Sequence, residues 1–316
     1  MHKYDTSNRS RQFCLGGMRM ISVLPIYIVL ALGFWAQKRC RFDIRSLSDT
    51  AIYLLYPFLA FRTFNDTSLT REHGYIALFL ILLNIGIISL VYIISRVLKY
   101  PASMRSALVL AGVFMNAGNY GAPLILFALG EEAFSYAVVI MVIQSLLMST
   151  VGLYFAASGS QERGDAKNTL KKVFAMPVLY ATFFGWSLKE VGWEFSELFH
   201  SFISFMADAA IPLILLALGM QLSSLTLNSI RKKELWLAIA IKMFVSPTLG
   251  VIIALLLPVD PLIRTVLMVI SFMPTAANTT LFAVRFNVEP ELVASSAFVS
   301  TLLSTVTLPI VLLVLK

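Results

Sequence analysis

The sequence predicts an all-α polytopic membrane protein with ten transmembrane helices, arranged as two inverted five-helix repeats. Three observations lead to this fold class: a strongly apolar composition, ten apolar runs, and one hydrophilic linker with five runs on either side. Apolar residues make up 58% of the 316 positions and charged residues only 13%, and the mean hydropathy is +0.82. A soluble domain carries about 25% charged residues, because it must cover itself with polar surface. Lipid must therefore cover part of this chain.

The ten runs are separated by charged or turn-rich breaks. A helix needs about 20 mostly apolar residues to cross a bilayer. Two runs are less regular than the others, since 46–62 is short and 173–190 ends in a broken polar pattern. In chain order the runs cover residues 20–36, 46–62, 74–96, 105–129, 132–157, 173–190, 198–223, 235–257, 262–285 and 290–315.

Polar segments divide the chain into parts. Residues 1–17 form a polar, basic N-terminal tail that lacks the apolar core of a signal peptide. Met18 or Met20 is an alternative natural start, because the first apolar run begins there. The predicted parts after the tail are a first repeat at 18–157, a cytoplasmic linker at 158–172 and a second repeat at 173–316.

The two halves share proline, glycine and polar positions, which indicates an internal duplication. Each half opens with a proline and a glycine eight residues apart, namely Pro25 with Gly33 and Pro177 with Gly185. A shift of 159 positions then aligns 105–148 with 264–307 without gaps. The polar matches are Arg105 with Arg264, Asn119 with Asn278, Glu132 with Glu291, and Ser145 with Ser304.

An odd number of spans per repeat forces the second repeat to enter the membrane from the opposite face, as in many transporters. The basic residues test this arrangement. Alternate connections on one side hold fifteen Lys and Arg residues, whereas the other side holds nine, four of which precede the first apolar run. The richer side is expected to be cytoplasmic, so both termini are predicted to be non-cytoplasmic.

The fourth run contains residues that interrupt a helix at membrane depth. Asn116, Asn119, Gly121 and Pro123 lie within eight residues of one another. Proline removes a backbone hydrogen bond and clashes with the preceding turn, and glycine lowers helix propensity further. Backbone groups freed in this way cannot face hydrocarbon, so the break must lie against protein or a water-filled cavity.

The ninth run repeats the pattern, with Thr275 and Asn278 following Pro274. Interrupted helices at corresponding positions of two halves indicate a substrate site. The helix N-termini created there favour a carboxylate, and asparagine amides supply donors and acceptors. The alternative is that such residues only kink and pack membrane helices. That interpretation is preferred for five other prolines, at positions 25, 57, 177, 212 and 309.

Two charged residues inside predicted spans are candidates for attracting or coupling charge. Lys242 either faces the cavity and attracts an anion, or extends back to the interface. Asp208 is a functional candidate if buried, or else an interfacial cap. Gln144 and Gln221 are weaker candidates, since each is more typical of a hydrogen bond between helices.

Several other classes of function are disfavoured. The net charge of +8 could indicate nucleic-acid binding, but the basic residues are spread between apolar runs. Cys14 and Cys40 match no metal or disulfide spacing. No nucleophile–base or metal-ligand constellation of an intramembrane enzyme is visible, and we predict no cofactor and no metal site.

Two segments carry a family resemblance. Residues 272–312, which include FMPTAANTT and the turn NVEPE, and NAGNYGAPL in the fourth run resemble the auxin efflux carrier family, which includes plant PIN carriers and bacterial malonate-type permeases. The resemblance extends over nearly all of 18–316. The short central linker is similar to that of the bacterial permeases rather than the plant carriers.

The resemblance implies an elevator-type transporter of small organic anions. Spans 1, 2, 6 and 7 would form a scaffold, and spans 3–5 and 8–10 a transport domain with crossed fourth and ninth helices. It further implies a homodimer through the scaffold and, from the bacterial members, a location in the cytoplasmic membrane. Asn116 matches the family asparagine that binds a carboxylate, whereas Thr275 stands where plant members carry glutamine.

We therefore predict a secondary transporter of a small organic anion, in which Asn116, Asn119, Thr275 and Asn278 contact the substrate. Gly121, Pro123 and Pro274 would keep the two helices open. The sequence does not distinguish between H⁺ and Na⁺ as the coupling ion. The alternatives are a sodium-coupled bile-acid-like symporter, and a membrane receptor that binds its ligand without transporting it.

Overall fold

The computed structural model describes residues 23–67, 70–160, 176–224 and 233–315. Throughout these ranges the secondary structure is helical, and the one extended element is an isolated β-bridge between Met115 and Thr275. The tail at 1–17, the starts at Met18 and Met20, Cys14 and most of the linker lie outside the described residues.

The helices follow the predicted apolar runs to within a few residues, and the fourth and ninth runs are each divided in two. The helices are α1 (Leu24–Cys40), α2 (44–66), α3 (Arg71–Val97), α4 (Ala102–Gly112), α5 (Ala122–Leu129), α6 (Glu131–Gly159), α7 (Pro177–Val191), α8 (Glu197–Asp208 continued by Ala210–Ser224), α9 (Lys233–Leu256), α10 (Pro261–Ser271), α11 (Asn278–Arg285) and α12 (Pro290–Val314).

Among the described residues, five helices are long and apolar enough to cross a membrane, namely α3, α6, α8, α9 and α12. At 1.5 Å per residue, the 27 residues of α3 extend for about 40 Å, more than the roughly 30 Å of a bilayer core. Many large apolar side chains are exposed along the helices, including Ile85 and Leu255. Helical structure throughout the described ranges, with such a surface, identifies a polytopic membrane protein.

Two of the prolines expected to act as kinks instead begin helices. Pro25 occupies the first turn of α1 and Pro177 is the first residue of α7. A helix start tolerates proline, because the N–H that proline lacks has no partner there in any case. The prediction of kinks at these two positions is wrong.

Three other prolines each follow a π-helical segment by two residues: Pro57 after Thr50–Leu55, Pro123 after Ala117–Gly121, and Pro247 after Ile241–Val245. In each case the residue before the proline donates its N–H to the carbonyl five residues earlier. In a regular α-helix the proline ring would clash with the carbonyl group four residues earlier. The wider π turn moves that carbonyl group away from the ring. These π segments are therefore the local response of the helix to proline.

Glycine allows two pairs of helices to pack with their backbones in contact. A Cβ atom on Gly33 of α1 would lie 2.3 Å from the carbonyl oxygen of Leu216, and a Cβ atom on Gly219 of α8 would lie 2.2 Å from that of Leu30. We call this contact the α1–α8 joint. In the α2–α7 joint, a Cβ atom on Gly185 would lie 2.6 Å from the carbonyl oxygen of Phe61.

Candidate functional site

The two interrupted helices meet at their breaks. Between α4 and α5, and between α10 and α11, the chain leaves the helix, and the two extended segments pair as an antiparallel bridge. The N–H of Asn116 donates to the carbonyl of Pro274 at 2.8 Å, and the N–H of Ala276 donates to the carbonyl of Phe114 at 3.0 Å. Backbone groups freed by the breaks are thus bonded within the protein, as a nonpolar surrounding requires.

Side chains around Thr275 fasten this crossing. The hydroxyl of Thr275 donates to the carbonyl of Ala111 at 2.6 Å, and its N–H donates to the hydroxyl oxygen of Ser300 at 3.1 Å. Thr275 is buried and does not line the neighbouring cavity. In this conformation its hydroxyl holds the end of α4, and is not directed at the cavity as expected for a substrate contact.

A cavity of about 60 Å³ lies beside the crossing. Its wall includes the other three predicted substrate contacts, Asn116, Asn119 and Asn278, together with Gln144 of α6. The wall also includes residues from the π segment of α2 and from the start of α7, among them Ile52 and Pro177. The crossing therefore brings polar residues of both halves of the chain to one enclosed space.

Hydrogen bonding differs among these amides. The side-chain oxygen of Asn119 accepts from the hydroxyl of Tyr56 at 3.1 Å, which fixes that amide. By contrast, the side-chain nitrogen of buried Asn116 and both polar atoms of Gln144 have no partner among the described residues. Buried polar atoms are nearly always bonded in proteins, so these groups are suited to a polar ligand or to water.

The helix ends add to the polarity of the site. Asn116 and the π segment at Ala117–Gly121 lead into the N-terminus of α5, and Asn278 is the first residue of α11. The N-terminus of a helix carries a partial positive charge and attracts anions. Two such ends at one cavity, with amide donors beside them, favour a negatively charged solute.

Gly121 and Pro123 are placed as the break requires. A Cβ atom on Gly121 would lie 2.8 Å from the Cδ1 atom of Ile270, so glycine at this position lets α10 approach the crossing. Pro123 lies in the first turn of α5 and Pro274 lies beyond the end of α10. All three residues shape the crossing and none of them lines the cavity.

Lys242 and Asp208 lie elsewhere. The Lys242 side chain is fully buried in α9, so it does not extend back to the interface, and its Nζ atom has no partner among the described residues. It is absent from the cavity wall. Asp208 is not a buried carboxylate, since its side chain is 69% exposed and pairs with Arg62 at 2.7 Å. The burial that made Asp208 a coupling candidate is therefore missing.

Sequence reasoning underweights Gln144 and misses Tyr56 as part of the site. The sequence gives Gln144 and Gln221 the same weak rank, but in the described part of the chain only Gln221 forms a bond between helices, to Ser48 at 3.1 Å. Tyr56 immediately precedes Pro57, and the π segment before it faces the cavity. Pro57 is the signal in the sequence that could have identified this region. A proline within a helix favours a π segment before it, and π segments often occur at functional sites.

Comparisons with known proteins identify transporters over almost the whole chain. A family model described as membrane transport protein (Mem_trans) matches residues 18–312. An "Uncharacterized transporter" of Methanothermobacter thermautotrophicus is 24% identical over 298 residues, which cover 92% of this chain and 94% of the relative. Another from Methanocaldococcus jannaschii is 26% identical over 304 residues, covering 90% and 92%.

A third relative is named "Putative malonate transporter", from Rhizobium meliloti (strain 1021). It is 26% identical over 302 residues, which cover 90% of this chain and 92% of the relative. The match to the family model covers the fourth and ninth runs and nearly all of the tenth, which carry the motifs described above. The chain belongs to the Mem_trans family of membrane transport proteins, the auxin efflux carrier family that those motifs resemble.

Proposed function

We propose that this transporter is a secondary active carrier of a small organic anion, a carboxylate, and that it works by an elevator type of alternating access. The observation that carries this proposal is the crossing, which places Asn116, Asn119 and Asn278 at one cavity beside two helix N-termini. Membrane transport is the activity of the family, whereas the substrate and the mechanism are our proposal.

The substrate class follows from the chemistry of the cavity. A carboxylate accepts hydrogen bonds, and the free amide nitrogens of Asn116 and Gln144 are donors. Two helix N-termini, one from each half, offer a partial positive charge on two sides. A short dicarboxylate would use both, and the relative named "Putative malonate transporter" supports testing malonate first.

The elevator mechanism is supported by how the cavity is built. An engineered protein cavity of roughly 150 Å³ binds benzene, so the present cavity of about 60 Å³ must widen to admit a dicarboxylate. Its wall is formed by residues of the crossing and of α6, together with residues of α2 and α7. We propose that the crossing moves as a body against the helices tied by the two glycine joints, and that this movement opens the cavity.

The same proposal includes ten spans in two inverted repeats, with α4–α5 and α10–α11 each counted as one broken span. The α1–α8 and α2–α7 joints support it, because the glycines of α1 and α7, Gly33 and Gly185, are equivalent positions of the two halves. Both termini would be non-cytoplasmic, the membrane would be the bacterial cytoplasmic one, and a homodimer would form through the scaffold.

Uptake into proteoliposomes tests the site. Asn116→Ala should weaken malonate binding by about 10- to 150-fold, since a hydrogen bond to a charged group contributes about 1.5–3 kcal/mol. Asn116→Asp should abolish uptake, because the aspartate side chain has nearly the same shape as asparagine but places a negative charge beside the anion. Asn287→Asp is the matched control, since Asn287 is exposed in the turn after α11 and does not line the cavity. Full malonate uptake by the Asn116→Asp variant would refute the site.

The same assay separates the alternatives. A sodium-coupled symporter would require a sodium gradient for accumulation, whereas proton coupling would follow the pH gradient. A receptor would bind malonate, seen as a rise in melting temperature with ligand concentration, and yet show no flux. Binding without flux in the unaltered protein would overturn transport by this chain.

A further inference from the structure

A second pocket lies away from the crossing, where α3 ends and α4 begins. It has a volume of about 510 Å³, within the range of about 300–1,000 Å³ that is common for ligand sites. The residues that give it its character are Tyr92, Ser95, Arg96, Lys99, Tyr100 and Arg105. We call this the basic pocket.

Three cations surround the basic pocket and none has an acidic partner. In the described part of the chain, no carboxylate oxygen lies within 4.0 Å of Arg96, Lys99 or Arg105. The guanidinium of Arg105 lies over the ring of Tyr92 at 4.7 Å, and its buried Nε atom has no acceptor among the residues that the structure describes. The pocket therefore combines net positive charge with an unused donor.

Ser95 supplies an independent indication of a ligand. Its side chain is only 2% exposed, and its hydroxyl oxygen has no hydrogen-bond partner among the described residues. Other hydroxyls in these helices donate to the carbonyl four residues earlier, as those of Thr182, Ser296 and Thr301 do. The Ser95 hydroxyl makes no such bond and lines the pocket, so it is free to donate to a ligand.

One acidic residue, Glu234, contacts a residue of the basic pocket without lining the pocket itself. Glu234 of α9 accepts from the hydroxyl of Tyr100 at 3.4 Å, but Glu234 does not line the pocket. Burial and the adjacent Glu234 carboxylate raise the pKa of Tyr100, so its hydroxyl stays protonated and neutral. The lining consequently holds donors and cations without a competing negative charge.

The surroundings of the pocket are apolar and exposed. Ile93 is 62% exposed and Val97 73% exposed, and both lie on the last turns of the long apolar helix α3. A cationic pocket at the end of a membrane helix with apolar side chains directly beside it matches the two parts of a phospholipid, the headgroup and the acyl chains. A soluble anion would have no use for the apolar flank.

We propose that the basic pocket binds the phosphate of an anionic phospholipid headgroup, on the face predicted to be cytoplasmic. Arg96 and Arg105 would contact the phosphate oxygens, with the Ser95 hydroxyl donating from below. Basic pockets between membrane helices on that face are suited to anionic headgroups. The site is separate from the crossing, so it stands whether or not the proposed substrate is correct.

Lipid retention in purified protein tests this proposal. The protein is reconstituted into vesicles of phosphatidylcholine alone or mixed with phosphatidylglycerol, extracted, and analysed by native mass spectrometry. The double variant Arg96→Gln/Arg105→Gln should retain phosphatidylglycerol about thirtyfold less well, since one basic residue near an anionic surface contributes a factor of about five. The matched control, Arg39→Gln/Arg41→Gln, removes two exposed charges from the end of α1 and should retain it normally.

Two further measurements keep the test decisive. Ser95→Ala and Arg96→Gln, each a single mild change, should also lower retention of phosphatidylglycerol, and neither should alter retention of phosphatidylcholine. Inorganic phosphate should not protect the unaltered protein against heat as phosphatidylglycerol does. Equal retention by the two double variants would overturn the proposal, and protection by inorganic phosphate alone would assign the pocket to a soluble anion instead.

Discussion

The α1–α8 joint allows the packing of the helices to be tested quantitatively. Gly33→Ala would place a methyl group 2.3 Å from a carbonyl oxygen of α8, whereas ordinary contact begins at 3.4 Å. The neighbouring atom belongs to the backbone of α8, so no side chain can turn aside. We therefore expect the two helices to separate by about 1 Å.

The expected magnitude has two parts of opposite sign. Glycine inside a helix is about 1 kcal/mol less favourable than alanine, while overpacking costs about 1–3 kcal/mol. Gly74→Ala isolates the first part, because nothing lies within 4 Å of a Cβ atom at that position of α3. Gly33→Ala should thus be less stable than Gly74→Ala by about 1–3 kcal/mol.

A double-mutant cycle sharpens the test. Gly33→Ala and Gly219→Ala act on one joint, so the separation forced by the first makes room for the second. The double variant should cost less than the sum, which is the coupling expected of residues in contact. Gly33→Ala combined with Gly185→Ala, which affects the α2–α7 joint, should be nearly additive.

Thermal unfolding of the detergent-solubilised variants, measured under one fixed set of conditions, provides the assay. Two results would refute the reasoning: a Gly33→Ala variant as stable as Gly74→Ala, or strict additivity of Gly33→Ala with Gly219→Ala. Either result would mean that the backbones of α1 and α8 are not in contact in the folded protein.

Three other predictions concern single residues. Thr275→Val should lower stability by about 0.5–1.5 kcal/mol through the lost bond to Ala111 but leave the substrate dissociation constant unchanged, as ligand titration would show. Lys242→Met should leave thermal stability the same or higher, because it removes an unpaired buried group, and should reduce transport if that ammonium takes part in coupling. Asp208→Asn should change stability by less than about 1 kcal/mol, since exposed ion pairs contribute little, and a gradient-dependence assay should find coupling intact.

The positions of the breaks were predictable from the sequence, because proline and glycine act on the chain locally. Gly121, Pro123 and Pro274 mark the interruptions, and the helix ends follow the charged residues and prolines around them. The contact between the two breaks is confirmed by the bridge between Met115 and Thr275. Periodicity alone gives no partner for an extended segment, and the resemblance to a family supplied that expectation.

The roles of individual side chains were less predictable, because they depend on partners distant in the sequence. From the sequence, Thr275 is a candidate ligand residue. In the structure its hydroxyl instead donates to the carbonyl of Ala111, 164 positions earlier. Asp208 similarly meets Arg62 on another helix. Whether a polar residue in a membrane helix is free or already bonded is a property of the packed structure, and a single sequence does not contain it.

The bonds across the crossing are made by main-chain groups and by hydroxyls that do not face the cavity. The framework of the site can therefore persist when the amides beside it are exchanged for other residues. Relatives that carry different solutes could share one architecture and differ at a few wall positions such as Asn116 and Gln144. Exchanging those residues between members of the family is consequently a direct route to altering solute preference without disturbing the fold.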